Sequence, residues 1–190
     1  MNRTELLVDP ESLLLLRHLV GGTWQCMGGR YMSDGTSDVA IFAVTDKASI
    51  TISGPVDELD FEGDDDTYVR LRVREGAPER QAATKSGNLY FQNSGERVLD
   101  VVIVRQTITE ERDGTPKWTF VSDIGVIFVL SRGVVAISPV SHHTELLQAR
   151  RADSLSNLTL EEPLSARENE LETSYKRQVE FLPIADALGT

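Results

Sequence analysis

Apolar and polar residues alternate with a period of two through most of the chain. The densest patch runs from Lys117 to Ser131, followed by Arg132-Gly133 and a second apolar run, Val134 to Ile137. Its even positions carry Trp118, Phe120, Ile124, Val126, Phe128 and Leu130, with Ser122 the exception. Its odd positions begin polar (Lys117, Thr119, Asp123) and become apolar at Ile127 and Val129. Successive strand side chains point to opposite faces. The pattern therefore predicts two core strands joined by a tight turn, the first with a wet face that becomes buried near Gly125.

The same period predicts further strands. One covers Thr23 to Tyr31, where Trp24, Cys26 and Gly28 share a face. Others follow at Val39–Val44, Ala48–Ser53 and Val69–Arg74, the last with Arg70, Arg72 and Arg74 in a row. Asn88 to Phe91 is a short strand. In Val98 to Ile108, Val98, Val102, Val104 and Ile108 fall on one face and Leu99, Val101 and Ile103 on the other, which predicts a central strand. Asp113-Gly114 marks a hairpin turn. Residues 141–152 fit a helix or a strand, with a slight preference for strand. Tyr175, Arg177, Val179 and Phe181 alternate with polar residues in a last strand, and 184–190 reads as a flexible tail.

One helix breaks the pattern. Asp9 can cap it, Pro10 suits its first position, Leu13 to Leu16 fill it and Gly21-Gly22 end it. The fold class is thus mainly β, at the margin of α+β. It is an antiparallel sandwich or partly open barrel of about eight to ten strands with one N-terminal helix. No domain boundary or repeat interrupts residues 1–190, which read as a single domain.

Composition narrows function. Hydrophobic residues make up 40 % of the 190, enough for a core, and the net charge is −11. An acidic surface repels phosphate backbones and anionic membranes, so neither nucleic acid nor a membrane is an expected partner. No apolar run approaches the ~20 residues of a membrane span. Cys26 is the only cysteine, which favours a reducing, cytoplasmic location.

Candidate chemistry is sparse. Cys26 shares a face with Trp24 and reads as core, where a thiol is inert. His142 and His143 point apart on a strand and lie about 100° apart on a helix, so they do not form a joint metal site. His18 stands among leucines. The seven acidic residues Asp57, Glu58, Asp60, Glu62, Asp64, Asp65 and Asp66 begin like a calcium loop with Gly63 in place. Val69 then stands where the bidentate glutamate belongs. They read as a solvated loop and, secondarily, as a docking surface for a basic partner. The arginine row is expected to offset acidic side chains on a neighbouring strand rather than to bind an anion. No phosphate-binding, dinucleotide or nucleophile-elbow motif occurs.

The leading expectation is a non-catalytic acidic protein-interaction module without cofactor or metal, in its concrete form an inhibitor or immunity-type protein that binds a basic partner. The alternatives are a small-molecule-binding β-barrel or sandwich with a pocket lined by Trp24, Trp118, Phe120 or Tyr31, and an enzyme whose site no motif marks. The sequence leaves the oligomeric state open.

Overall fold

The computed structural model describes residues 2–29, 37–61, 64–77, 89–92, 95–141, 143–158, 160 and 173–189. The protein is mainly β, with antiparallel sheets, an N-terminal helix and no closed barrel. The larger sheet has seven strands. Six follow the order β14 (Thr173–Pro183), β10 (Val98–Arg112), β11 (Thr115–Leu130), β12 (Gly133–Pro139), β13 (Leu147–Ala152) and β3 (Ser37–Asp38). The seventh, β1 (Asn2–Leu6), pairs in parallel with Trp118–Ser122 of β11. A five-stranded sheet has the order β8 (Arg72–Glu75), β5 (Ser49–Ser53), β4 (Ala40–Thr45), β2 (Trp24–Gly29) and β9 (Leu89–Gln92). The chain crosses between the sheets at Val39, between β3 and β4. The hairpin β6 (Val56–Phe61) and β7 (Asp64–Val69) stands as a separate two-stranded sheet.

The main core lies between the two larger sheets. Trp24, Met27, Ile41, Ile50, Ile52 and Val73 from one side meet Val101, Ile103, Val126, Phe128, Val135 and Ile137 from the other. Burial of a side chain such as Phe128 contributes about 1.5–3 kcal/mol. The opposite face of the larger sheet is also apolar: Val102, Val104, Ile127, Val134 and Ala136 pack beneath Leu158 and Leu160. Cover on both faces explains why β10 to β12 carry near-continuous apolar runs.

Helix α1 (Pro10–His18) starts as its sequence predicts. Asp9 caps it, accepting from the Ser12 backbone N–H at 2.8 Å and from the Ser12 hydroxyl at 2.7 Å. Leu13 and Leu16 enter the main core. Ser12 Oγ also accepts from Val73 N–H at 2.9 Å and lies 3.3 Å from the Val73 carbonyl. The helix thereby covers the edge strand β8, where bare backbone groups would invite pairing. No helix among the described residues is long and apolar enough to cross a membrane.

Several expectations change. β1, β3, β6 and β7 were not anticipated. Within 141–152 the preferred strand forms over 147–152, as β13, after a bend. Residues 184–190, expected to be a flexible tail, include the short helix α2 (Ile184–Ala187), because buried Ile184 docks in the main core. The hairpin turn at Asp113-Gly114 forms as predicted, both residues having positive φ, 52° and 69°.

Bulges account for the wrong faces. An extra residue at Gln25, between the Trp24–Thr45 and Cys26–Val44 pairs, turns Cys26 away from Trp24. Trp24 lies in the main core and Cys26 beside Phe42 on the other side. A second bulge, at Leu99, moves Val98 to the face of Val101 and leaves Leu99 exposed. The expected wet face of β11 is wet only at Lys117, since Thr119 and Asp123 are buried where β1 lies alongside.

Candidate functional site

The acidic residues form a hairpin rather than a solvated loop. Asp57, Glu58 and Asp60 lie on β6, and Asp64, Asp65 and Asp66 on β7; Glu62 lies outside the described residues. The antiparallel register pairs Glu58 with Thr67, Leu59 with Asp66 and Asp60 with Asp65. The hairpin is attached to the rest of the molecule through Leu59, Tyr68 and Asp57.

That attachment is aromatic on one side and ionic at the base. Leu59 and Tyr68 pack on Leu6, Ile108 and Phe120. The Tyr68 ring lies 4.8 Å from Phe120 and 5.6 Å from His143, tilted 55° to each. His143 Nδ1 is 2.7 Å from the Thr67 carbonyl oxygen. At the base, Asp57 Oδ2 lies 2.6 Å from Arg70 Nε, and its Oδ1 lies 3.6 Å from Arg72 Nη2. Two members of the arginine row thus offset an acidic side chain on a neighbouring strand, as expected. Asp57 is a tie within the fold, whereas Glu58 is exposed.

The other sequence candidates disperse. Trp24 is 1 % exposed and stacks at 5.1 Å on Phe128 in the main core. Trp118 and Phe120 belong to the cluster beneath the acidic hairpin. The three therefore do not line one cavity, and Tyr31 lies outside the described residues. A shallow, open cleft of about 360 Å³ runs between α1 and β8, with Asp9, Glu11, Arg72, Arg74 and Glu75 on its rim. Cys26 is buried, His18 is exposed, and His142 lies outside the described residues. Among the described residues no three His, Cys, Asp or Glu side chains are grouped to hold a metal.

Buried carboxylates include Asp123, which the sequence marks at the polar end of the β11 stretch, and Glu110 and Glu96, which it does not single out. Asp123, fully buried at its side chain, receives Arg105 Nε at 2.7 Å and Nη2 at 3.1 Å. The bond to Asp123 raises the Arg105 guanidinium above its ordinary value, against the opposing effect of burial. Glu110 accepts from Arg112 Nε at 2.6 Å and from the Trp118 indole N–H at 2.7 Å, with the Tyr175 hydroxyl 3.5 Å away. Glu96 accepts from Arg151 Nη2 at 2.6 Å. A carboxylate inside an apolar run, such as Asp123 before Ile124, is the available sequence signal. Its cationic partner came from another strand and was not visible.

No family model matches the chain, and neither a curated protein nor a solved structure does.

Proposed function

We propose that this chain is a non-catalytic interaction module that receives a basic protein on the β6–β7 hairpin, in its concrete form an inhibitor or immunity-type protein. The observation that supports this reading is the way the hairpin is mounted. Tyr68 and Leu59 hold one face against the body while Asp57 is tied at the base. Beyond the tie, Glu58 is exposed on the same strand, and the sequence carries five further acidic residues between 60 and 66. The net charge of −11 adds long-range attraction for such a partner. The single cysteine fits a cytoplasmic setting.

The test is capture from extract of the native cell at low and high salt. The bait is the full chain beside a variant with Glu58→Gln, Asp60→Asn, Asp64→Asn, Asp65→Asn and Asp66→Asn. The expected result is a basic protein retained at low salt, released at high salt and lost with the variant. Its association rate should fall on the order of tenfold or more as salt rises. Equal capture by both baits, or no capture at low salt, would sink the reading.

A further inference from the structure

The edges of the larger sheet are treated unequally. β14 is its outermost strand on one side, and among the described residues it pairs only with β10, from Val102–Pro183 to Arg112–Thr173. Among the described residues no counterpart of the Ser12 cover on β8 lies over it. It is 11 residues long and regular, and Val179 and Phe181 are exposed, Phe181 by 48 %. Natural sheets blunt such edges with charges, prolines or bulges. Here the only proline, Pro183, stands at the strand's end, and the charges Lys176, Arg177 and Glu180 are of mixed sign.

The sequence of the strand is self-complementary. Two identical antiparallel strands can pair only in registers where the two residue numbers sum to an even value, because outward-facing backbone groups must meet each other. Centred on Gln178, the pairing sets Lys176 opposite the second copy's Glu180, twice over. It also sets Tyr175 opposite Phe181 and Arg177 opposite Val179. Opposite charges and aromatic pairs across strands both stabilise. Centred on Arg177, the two arginines would face each other; centred on Val179, Glu180 would face Gln178 and Lys176 would face Leu182. Only the register on Gln178 sets Lys176 and Glu180 opposite each other.

We infer that β14 is a homodimer edge: a second copy of this chain pairs antiparallel with it about a two-fold axis at Gln178, joining two seven-stranded sheets into one. The contact is isologous and closes on itself, occupying the β14 edge of both copies. It lies on a different strand from the acidic hairpin and stands or falls separately from it.

Sedimentation equilibrium on the full chain should give a dimer at micromolar concentration. Lys176→Glu and Glu180→Lys, made singly, each set like charges opposite one another and should weaken the dimer at least tenfold. Mixing the two single variants should restore association as a heterodimer, since each strand then meets its opposite. A strand that merely lost a contact within its own chain, such as Lys176 with Glu111, would show no such rescue. Independently of charge, Gln178→Cys should yield a disulfide-linked dimer on oxidation, because facing Cα atoms in an antiparallel pair lie ~4.5–5.5 Å apart. Lys176→Cys should not. A monomeric wild-type chain that Gln178→Cys fails to cross-link, or a dimer indifferent to the reversals, would overturn the inference.

Discussion

The Asp123 carboxylate accepts a hydrogen bond from the backbone N–H of Val8, 2.9 Å away and 115 residues earlier in the chain. The same carboxylate holds Arg105 in a two-point contact. One side chain thus joins the link between β1 and α1 to the long β10–β11 hairpin. Asp123→Ala would leave a buried N–H and a guanidinium without their acceptor. The expected loss is about 3–5 kcal/mol in denaturant unfolding. Asp123→Asn keeps an acceptor oxygen and should lose less. A loss below about 1 kcal/mol for the alanine variant would contradict this account.

Tyr68 fastens the acidic hairpin between Phe120 and His143. Tyr68→Ala should loosen the hairpin and spare the body. Amide exchange across 56–69 should quicken about tenfold or more, since an aromatic pair contributes about 0.5–1.5 kcal/mol beyond its burial. Exchange in β10 and β12 should stay unchanged. Uniform acceleration throughout would mean that the hairpin belongs to the cooperative core.

Asp9 links the helix start to acidity. Burial alone would raise its carboxyl, but the backbone and hydroxyl bonds from Ser12 outweigh this and hold it below the ordinary 3.8. A group lowered in the folded state contributes stability that is fully present above its unfolded value. That contribution is lost as pH falls through the folded value. Asp9→Ala should therefore cost about 1 kcal/mol at neutral pH. The gap between wild type and variant should close below pH 3.8, and thermal unfolding at several pH values would show it. A gap that persisted in acid would mean that the cap does not act through its charge.

Gly133 follows the turn after β11 with φ at +97°, and a Cβ built there would lie 2.5 Å from the Ala152 carbonyl oxygen. Gly133→Ala meets both a disfavoured backbone region and a rigid neighbour. It should cost more than about 1 kcal/mol, read as a lower melting temperature. A neutral effect would show that β12 and β13 separate there without penalty.

Much of the fold was legible because burial imposes a period of two, and β4, β5, β10, β11 and β12 lie where that period placed them. Faces were lost at the bulges, since one extra residue at Gln25 or Leu99 inverts the alternation without altering composition. β1 was illegible for a different reason. Its partner, Trp118 to Ser122, is remote in sequence, and Asn2 to Glu5 are mostly exposed. The acidic hairpin hid behind its own charge: Leu59, Phe61 and Tyr68 are few among seven carboxylates. Six of the seven acidic residues lie on this hairpin, and Asp57 among them is tied within the fold. The buried ion pairs could not be read at all, because Arg105 and Asp123 meet only after β10 and β11 have aligned.

The parallel pairing of β1 with β11 also sets an order of events during synthesis. Asn2 to Leu6 leave the ribosome well before their hydrogen-bonding partners, which are made more than 110 residues later. At about 5–20 residues per second, the first strand waits on the order of ten seconds with nothing to pair. β14 is made after both and completes the other side of the same hairpin. The nascent chain can therefore assemble β10, β11 and β12 locally and only afterwards recruit β1 and β14. The early residues Asn2, Arg3, Thr4 and Glu5 are well suited to that wait, being polar enough to stay solvated until their place in the sheet exists.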